Sequence, residues 1–221
     1  MGFISFKTVL KKSEYQIVVQ QSKFICHLFP VKTVSEAENA VESVAKLHYK
    51  ATHNVPAYLV GEYYKYSDDG EPAGTAGAPL LSMLRNEGFD CICVVVTRYF
   101  GGIKLGTGGL VRAYTAALKE ALAHAEVSTV ALYRHTELEM DYTYLGSVEH
   151  YLKSILEQLG QGEALHIADK RYSDKVTVVL YTGETVTDRI LEGITEITSA
   201  TVEIRRLEPI LLTDRFEKYE S

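Results

Sequence analysis

The chain has 221 residues, 46% of them apolar and 24% charged, with a formal net charge of −6. That composition is ordinary for a globular protein of two ordinary domains or one large one. It excludes a long uncharged membrane span and argues against nucleic-acid binding over the whole surface. The charge is uneven, however. Residues 1–130 carry 13 Lys and Arg against 12 Asp and Glu, and residues 131–221 carry 10 against 17. A local anion site is therefore expected in the first half. Residues 1–7 lack the apolar core of a signal peptide, and Phe6 stands where a myristoylation pattern needs Ser or Thr. A cytoplasmic protein is expected, with no membrane partner. Cys26, Cys91 and Cys93 form no paired framework and lack further ligands at zinc spacing. They read as small buried hydrophobes in a reducing compartment, Cys91 and Cys93 facing the same way on a strand. Neither a metal nor a cofactor is expected.

Residues 14–31 read as two strands joined tightly near 20–22, with Ile17 and Val19 alternating against polar neighbours. Ser35 and Glu38 have the spacing of a capping box, which predicts a helix over 35–49. His53 and Asn54 follow in a loop, and 55–60 with 63–66 form a hairpin about Gly61 and Glu62. Residues 68–77 are too rich in Gly, Pro and Asp for regular structure, and Pro79 starts a short helix to about 86. The run Ile92, Val94, Val95, Val96 is near-continuously apolar, as in a central strand buried on both faces at 90–97. A glycine-rich loop then enters a helix over 108–125. The second half reads as a strand at 137–142, a helix at 146–159 ended by Gly160, Gln161 and Gly162, and strands at 164–172 and 175–181. A helix at 185–193 and a strand at 201–207 follow. That order, βαββαβ, is ferredoxin-like. The boundary is expected near 127–134, giving domains of residues 1–130 and 131–221, and 213–221 should be loosely held.

Nine of the 16 glycines fall between Asp68 and Tyr114. From Gly101 and Gly102 through Lys104 to Gly106, Thr107, Gly108 and Gly109, the loop brings backbone N–H groups to a helix start. Missing Cβ atoms let an anion approach, and the helix dipole favours it. Arg98, Lys104 and Arg112 add donors, with no acidic residue among them. The spacing is neither a Walker loop nor a dinucleotide fingerprint. The glycines could equally serve only a tight turn. Asp68, Asp69 and Glu71 could bind a hard cation, act as acid and base, or cap a turn, although they do not form an EF-hand. Arg98 is a plausible partner for this acidic loop. His53 is eligible as an acid or base, or as a hydrogen-bonded loop residue. Ser22, Lys23, Asn54, Thr75 and Tyr99 complete a possible pocket. Tyr58, Tyr63, Tyr64, Tyr66 and Tyr99 could stack on bases or be half-buried sheet residues.

Ser22-Lys23-Phe24, Ala51-Thr52-His53-Asn54, Asp68-Asp69-Gly70-Glu71-Pro72, Gly74-Thr75-Ala76-Gly77 and the run from Arg98 to Gly106 resemble, in this order, the motifs of the IMPACT (YigZ) family. The resemblance covers about residues 15–125, and the remainder looks like the small C-terminal domain of the bacterial members. It implies an α+β protein: a ribosomal protein S5 domain 2-like αβ sandwich, then a ferredoxin-like domain resembling the last domain of elongation factor G. Eukaryotic relatives regulate translation by binding the activator of an amino-acid-starvation kinase. Small-molecule kinases of the same broad fold set a glycine loop on phosphate. Three readings stay open. The favoured one is a non-enzymatic, translation-associated protein contacting RNA, the ribosome or a translation-related protein through the basic glycine loop. The others are an enzyme acting on a small phosphorylated or anionic substrate, and a protein-interaction module.

Overall fold

A computed structural model describes residues 5–160 and 164–219. It divides into two units, residues 6–129 and, with Ser5, the described residues from 130 onward. The protein is an α+β fold of two domains. The first unit runs β1 (Ser5–Val9), β2 (Ser13–Val19), β3 (Ser22–Pro30), α1 (Val34–Leu47), β4 (His53–Val60), β5 (Tyr63–Tyr66), α2 (Gly77–Asn86), β6 (Ile92–Tyr99) and α3 (Gly106–His124). Its sheet has the order β2-β3-β6-β4-β5, antiparallel throughout.

β6 is the centre because its side chains are apolar on both faces. Ile92, Val94 and Val96 pack with Phe24, Leu28, Leu80 and Tyr114 towards α2 and α3. Cys93 and Val95 pack with Ala37, Ala40 and Val44 of α1. Each Val, Leu, Ile or Phe among them that is fully removed from water contributes roughly 1.5–3 kcal/mol. Burial pushes the Cys93 thiol up to about 12 and the Cys26 thiol up as well, so both stay neutral. Cys91 departs from expectation. It precedes the strand with a φ of +52°, a left-handed conformation, and is only partly buried.

Three local expectations change. Helix α1 starts earlier, because Thr33 is its cap: the Thr33 hydroxyl accepts from Glu36 N–H at 3.1 Å, and Glu36 accepts from Lys32 N–H at 2.7 Å. The observed cap thus lies two residues upstream of Ser35, and Glu36 reaches back one residue beyond the cap. His53 and Asn54 belong to β4 rather than to a loop. β1, which carried no sequence signal, is held by Lys7 N–H donating to Gly88 O and Asp90 N–H donating to Lys7 O, at 2.8 and 2.9 Å.

The second unit is built from β7 (Val127–Met140), α4 (Tyr142–Gln158), β8 (Leu165–Tyr172), β9 (Val176–Thr182), α5 (Glu184–Ile197) and β10 (Glu203–Thr213). Within it the strand order is β10-β7-β9-β8, antiparallel, the ferredoxin-like arrangement. Leu138, Met140, Val178 and Leu180 meet Val148, Leu152, Ile190 and Ile194 of the two helices in its core. The stretch 127–134 is strand, the first part of β7. The terminal stretch is also more ordered than expected through Tyr219, whose N–H donates to Leu211 O at 2.9 Å, while Phe216 stacks on His166 at 4.4 Å. Gln161 and Gly162, read as the end of α4, lie outside the described residues. Among the described residues no helix is long and apolar enough to cross a membrane.

Candidate functional site

The site lies in the first unit, where β4 and β6 end beside the loop 68–77 and the entrance to α3. His53 and Arg98 are register partners on neighbouring strands, so both face the side covered by α2 and α3. Thr52 N–H donates to Arg98 O at 2.8 Å, and Phe100 N–H donates to the Thr52 hydroxyl at 3.0 Å. Gly101 N–H donates to the Ser22 hydroxyl at 3.2 Å. A Cβ at Gly101 would stand 2.1 Å from the carbonyl carbon of Gln21, so no other residue fits that approach.

The carboxylates of the acidic loop are engaged by nearby donors, with Asp69 exposed, Asp68 half-buried and Glu71 buried. The Asp68 carboxylate accepts from the N–H groups of Gly74, Ala76 and Gly77 at 2.7, 3.0 and 2.9 Å, which caps α2 from outside the helix. Asp69 accepts from Asn54 N–H at 2.6 Å and ties the loop to β4. Thr75 donates to Pro72 O at 2.6 Å within the loop. Only Glu71 reaches the centre. Its side chain is 3% exposed and accepts from Arg98 Nη1 at 2.5 Å and from the Tyr114 hydroxyl at 2.8 Å. Burial, and then the Glu71 charge, push the Tyr114 phenol well up, so it remains a donor. His53 Nδ1 lies 2.6 Å from Asp69 O, and a nitrogen facing a carbonyl must donate. That assignment leaves Nε2 facing Glu71 Oε2, 3.8 Å away.

The basic loop is turned outward. No side chain caps α3 at Leu105, and its first turn, Gly106 to Gly109, has no acidic residue. The orphan N–H groups of that turn therefore face solvent with the positive end of the helix dipole. Lys104, Gly106 and Thr107 are all exposed at the surface. They line a cleft of about 410 Å³ together with Thr52, His53, Glu71, Pro72, Arg98, Phe100, Leu105 and Leu110.

Of the candidates read from the sequence, Arg98, Lys104, Gly106, Thr107, His53 and Glu71 thus share one cleft. Arg98 is not an open donor as expected: its side chain is 6% exposed and its charge is matched by Glu71. Arg112 is exposed further along α3, and Gly101, Gly102, Gly108 and Gly109 shape the loop and helix start without lining the cleft. Ser22, Asp68, Asp69 and Thr75 are structural. Lys23 and Tyr99 are register partners on the opposite face of the sheet, where Tyr99 Oη meets His48 Nδ1 at 3.0 Å. Asn54 also faces that side, accepting from the Thr97 hydroxyl at 2.7 Å. The strand period of two separates Arg98 from Tyr99 and His53 from Asn54. Sequence reasoning does not reach Phe100, Thr52 and Tyr114 as members of the site. Phe100 and Thr52 carry a signal only as neighbours of the motif residues. Among the described residues no group of three or more His, Cys, Asp or Glu is placed to hold a metal ion.

The model of the Impact N-terminal domain matches residues 20–122, which contain every residue of this site. A domain of unknown function (DUF1949) matches residues 138–201 in the second unit. Over 207 residues the chain is 40% identical to the IMPACT family member YvyE of Bacillus subtilis (strain 168), covering 92% of each. The chain belongs to the IMPACT family. The IMPACT family member YigZ of Escherichia coli (strain K12) is 39% identical over 139 residues, covering 61% of this chain and 68% of that protein. A solved structure described as that of a hypothetical protein is 28% identical, with a TM-score of 0.55 over 92% of this chain and 98% of its own. The cleft is therefore built by the IMPACT domain itself.

Proposed function

We propose that this IMPACT-family protein is a cytoplasmic, translation-associated regulator that binds RNA, free or on the ribosome, through the glycine-rich entrance to α3. One observation carries the reading. An uncapped helix start lies beside exposed Lys104, while the nearby carboxylates of Asp68, Asp69 and Glu71 are already engaged. Positive potential is open to solvent and negative charge is matched inside the loop, which favours a phosphate over a cation. The likeness to a family whose eukaryotic members regulate translation supports the biological setting. The net charge of −6 agrees with a local footprint rather than a coated surface. Binding should weaken as salt rises, and replacing Lys104 and Arg112 by Ala should lower the salt slope by about one unit for each phosphate no longer neutralised. Ribosome co-sedimentation and RNA anisotropy across a salt series measure this. No binding at low salt, or an unaltered slope in the double variant, sinks the reading.

A second reading, chemistry on a small anionic substrate, is favoured by His53, whose hydrogen bond to Asp69 O leaves Nε2 near Glu71 on the cleft wall. It expects a metabolite that raises the melting temperature and turns over. His53→Gln would abolish turnover.

A further inference from the structure

We infer that the cleft receives one unstacked nucleotide, with its phosphate at the α3 entrance and its base against Phe100. The inference rests on the RNA reading above and narrows it. Phe100 is 47% exposed, yet its backbone is fastened on both sides, to the Thr52 hydroxyl and, through Gly101, to the Ser22 hydroxyl. An aromatic ring held in water by a fixed loop is a stacking surface prepared in advance of its ligand.

Behind it lies the Arg98 guanidinium, 5.6 Å from the ring centroid. Arg98 is almost wholly buried, lines the cleft, and bonds Glu71 through Nη1 while its Nε has no partner. A buried guanidinium with an unused donor points to an acceptor brought by a ligand, because an unmet donor in the interior is costly. The uncapped α3 start at Gly106 and Thr107 borders the same cleft and supplies the phosphate end. Pro72, Leu105 and Leu110 give the space between an apolar wall.

Size decides the form of the nucleic acid. A cleft of about 410 Å³ is at the small-ligand end of the range and cannot take a helix. A base inside duplex RNA has no free face to stack, so only a single-stranded or displaced base can reach Phe100. The same chemistry could be supplied by a free nucleotide.

The test uses the full chain, a labelled short oligouridine, a duplex of equal length, and UMP as the free nucleotide. Single strand should bind more tightly than duplex at the same salt, and Phe100→Ala should weaken it roughly tenfold or more with little effect on the duplex. Phe100→Trp should restore binding, which separates stacking from any loss of folding. UMP that raises the melting temperature in a Phe100-dependent manner, with neither RNA bound, keeps the nucleotide site and overturns the RNA reading. Equal affinity for duplex and single strand, or an unchanged Phe100→Ala variant, with Lys104→Ala still lowering RNA binding, overturns the nucleotide site and keeps the RNA reading. No response to any of the three overturns both.

Discussion

The loop 68–77 and the loop 101–109 stand on two sides of one cleft, and their charges are used in opposite ways. In the first, Asp68 caps a helix, Asp69 fastens a turn and Glu71 neutralises a buried arginine. In the second, Lys104 and the N–H groups of Gly106 to Gly109 have no such obligations within their own turn. The acidic loop is therefore scaffold and the basic loop is surface. Charge counted along a chain measures neither. Availability depends on whether the backbone nearby has donors left to satisfy.

The largest effect should come from breaking the buried pair. Arg98→Ala leaves Glu71 charged and unpaired in the interior, and about 3–5 kcal/mol of stability should be lost in urea denaturation. A variant as stable as the parent would mean that Glu71 does not depend on Arg98, and the distinction between the two loops would fail. This cost is also why Lys104 and Arg112, rather than Arg98, are the residues to change when binding is tested.

Acid should act elsewhere. His27, on the α1 face of the sheet, has a side chain only 1% exposed, and burial, then the neighbouring His48, lower its pKa from 6.5 to about 4. Glu14, 3.3 Å away with its side chain 66% exposed, opposes the lowering, and Lys12 adds a smaller part to it. The unfolded chain binds this proton more tightly than the folded one does. Stability from a neutral His27 is therefore complete above the ordinary imidazole value and is lost as pH falls from 6.5 towards 4, by up to about 3 kcal/mol. Denaturation midpoints measured across that window should fall in the parent and stay flatter in His27→Gln, compared each with its own value at neutral pH. Equal slopes would assign the acid sensitivity to other groups, the carboxylates of the loop among them.

Removing the outside cap comes next. Asp68→Ala strips an acceptor from three N–H groups and should cost about 2 kcal/mol in the same urea denaturation, with Asp68→Asn recovering part of it. Smallest of all, Lys104→Ala and Arg112→Ala should each change stability by no more than about 0.5 kcal/mol, because both side chains are exposed and the contrast predicts that they hold nothing up. A larger loss would make the basic loop scaffold too.

Much of the fold was legible where one local pattern dominated. The Ile92 to Val96 run announced a two-faced central strand, and the alternating strands and helices after residue 137 announced a ferredoxin-like order. The site was legible as a neighbourhood, since the motif residues do converge around one cleft. Its membership was not. Tyr99 follows Arg98 in the chain yet meets His48 on the far face, and Lys23 goes with it. Phe100, which carries no charge, lines the cleft they miss. β1 was invisible because its hydrogen bonds are long-range, those of Lys7 with Gly88 and Asp90 reaching some 80 residues along the sequence.

Residue types and spacing alone determined that glycine and positive charge would gather at a strand-to-helix turn, and that an acidic loop would precede it. Those are local properties of the chain. Tertiary structure alone decided which of the charges remain free. The pleat sends neighbouring side chains to opposite faces, and each buried carboxylate must find donors wherever the fold happens to leave them.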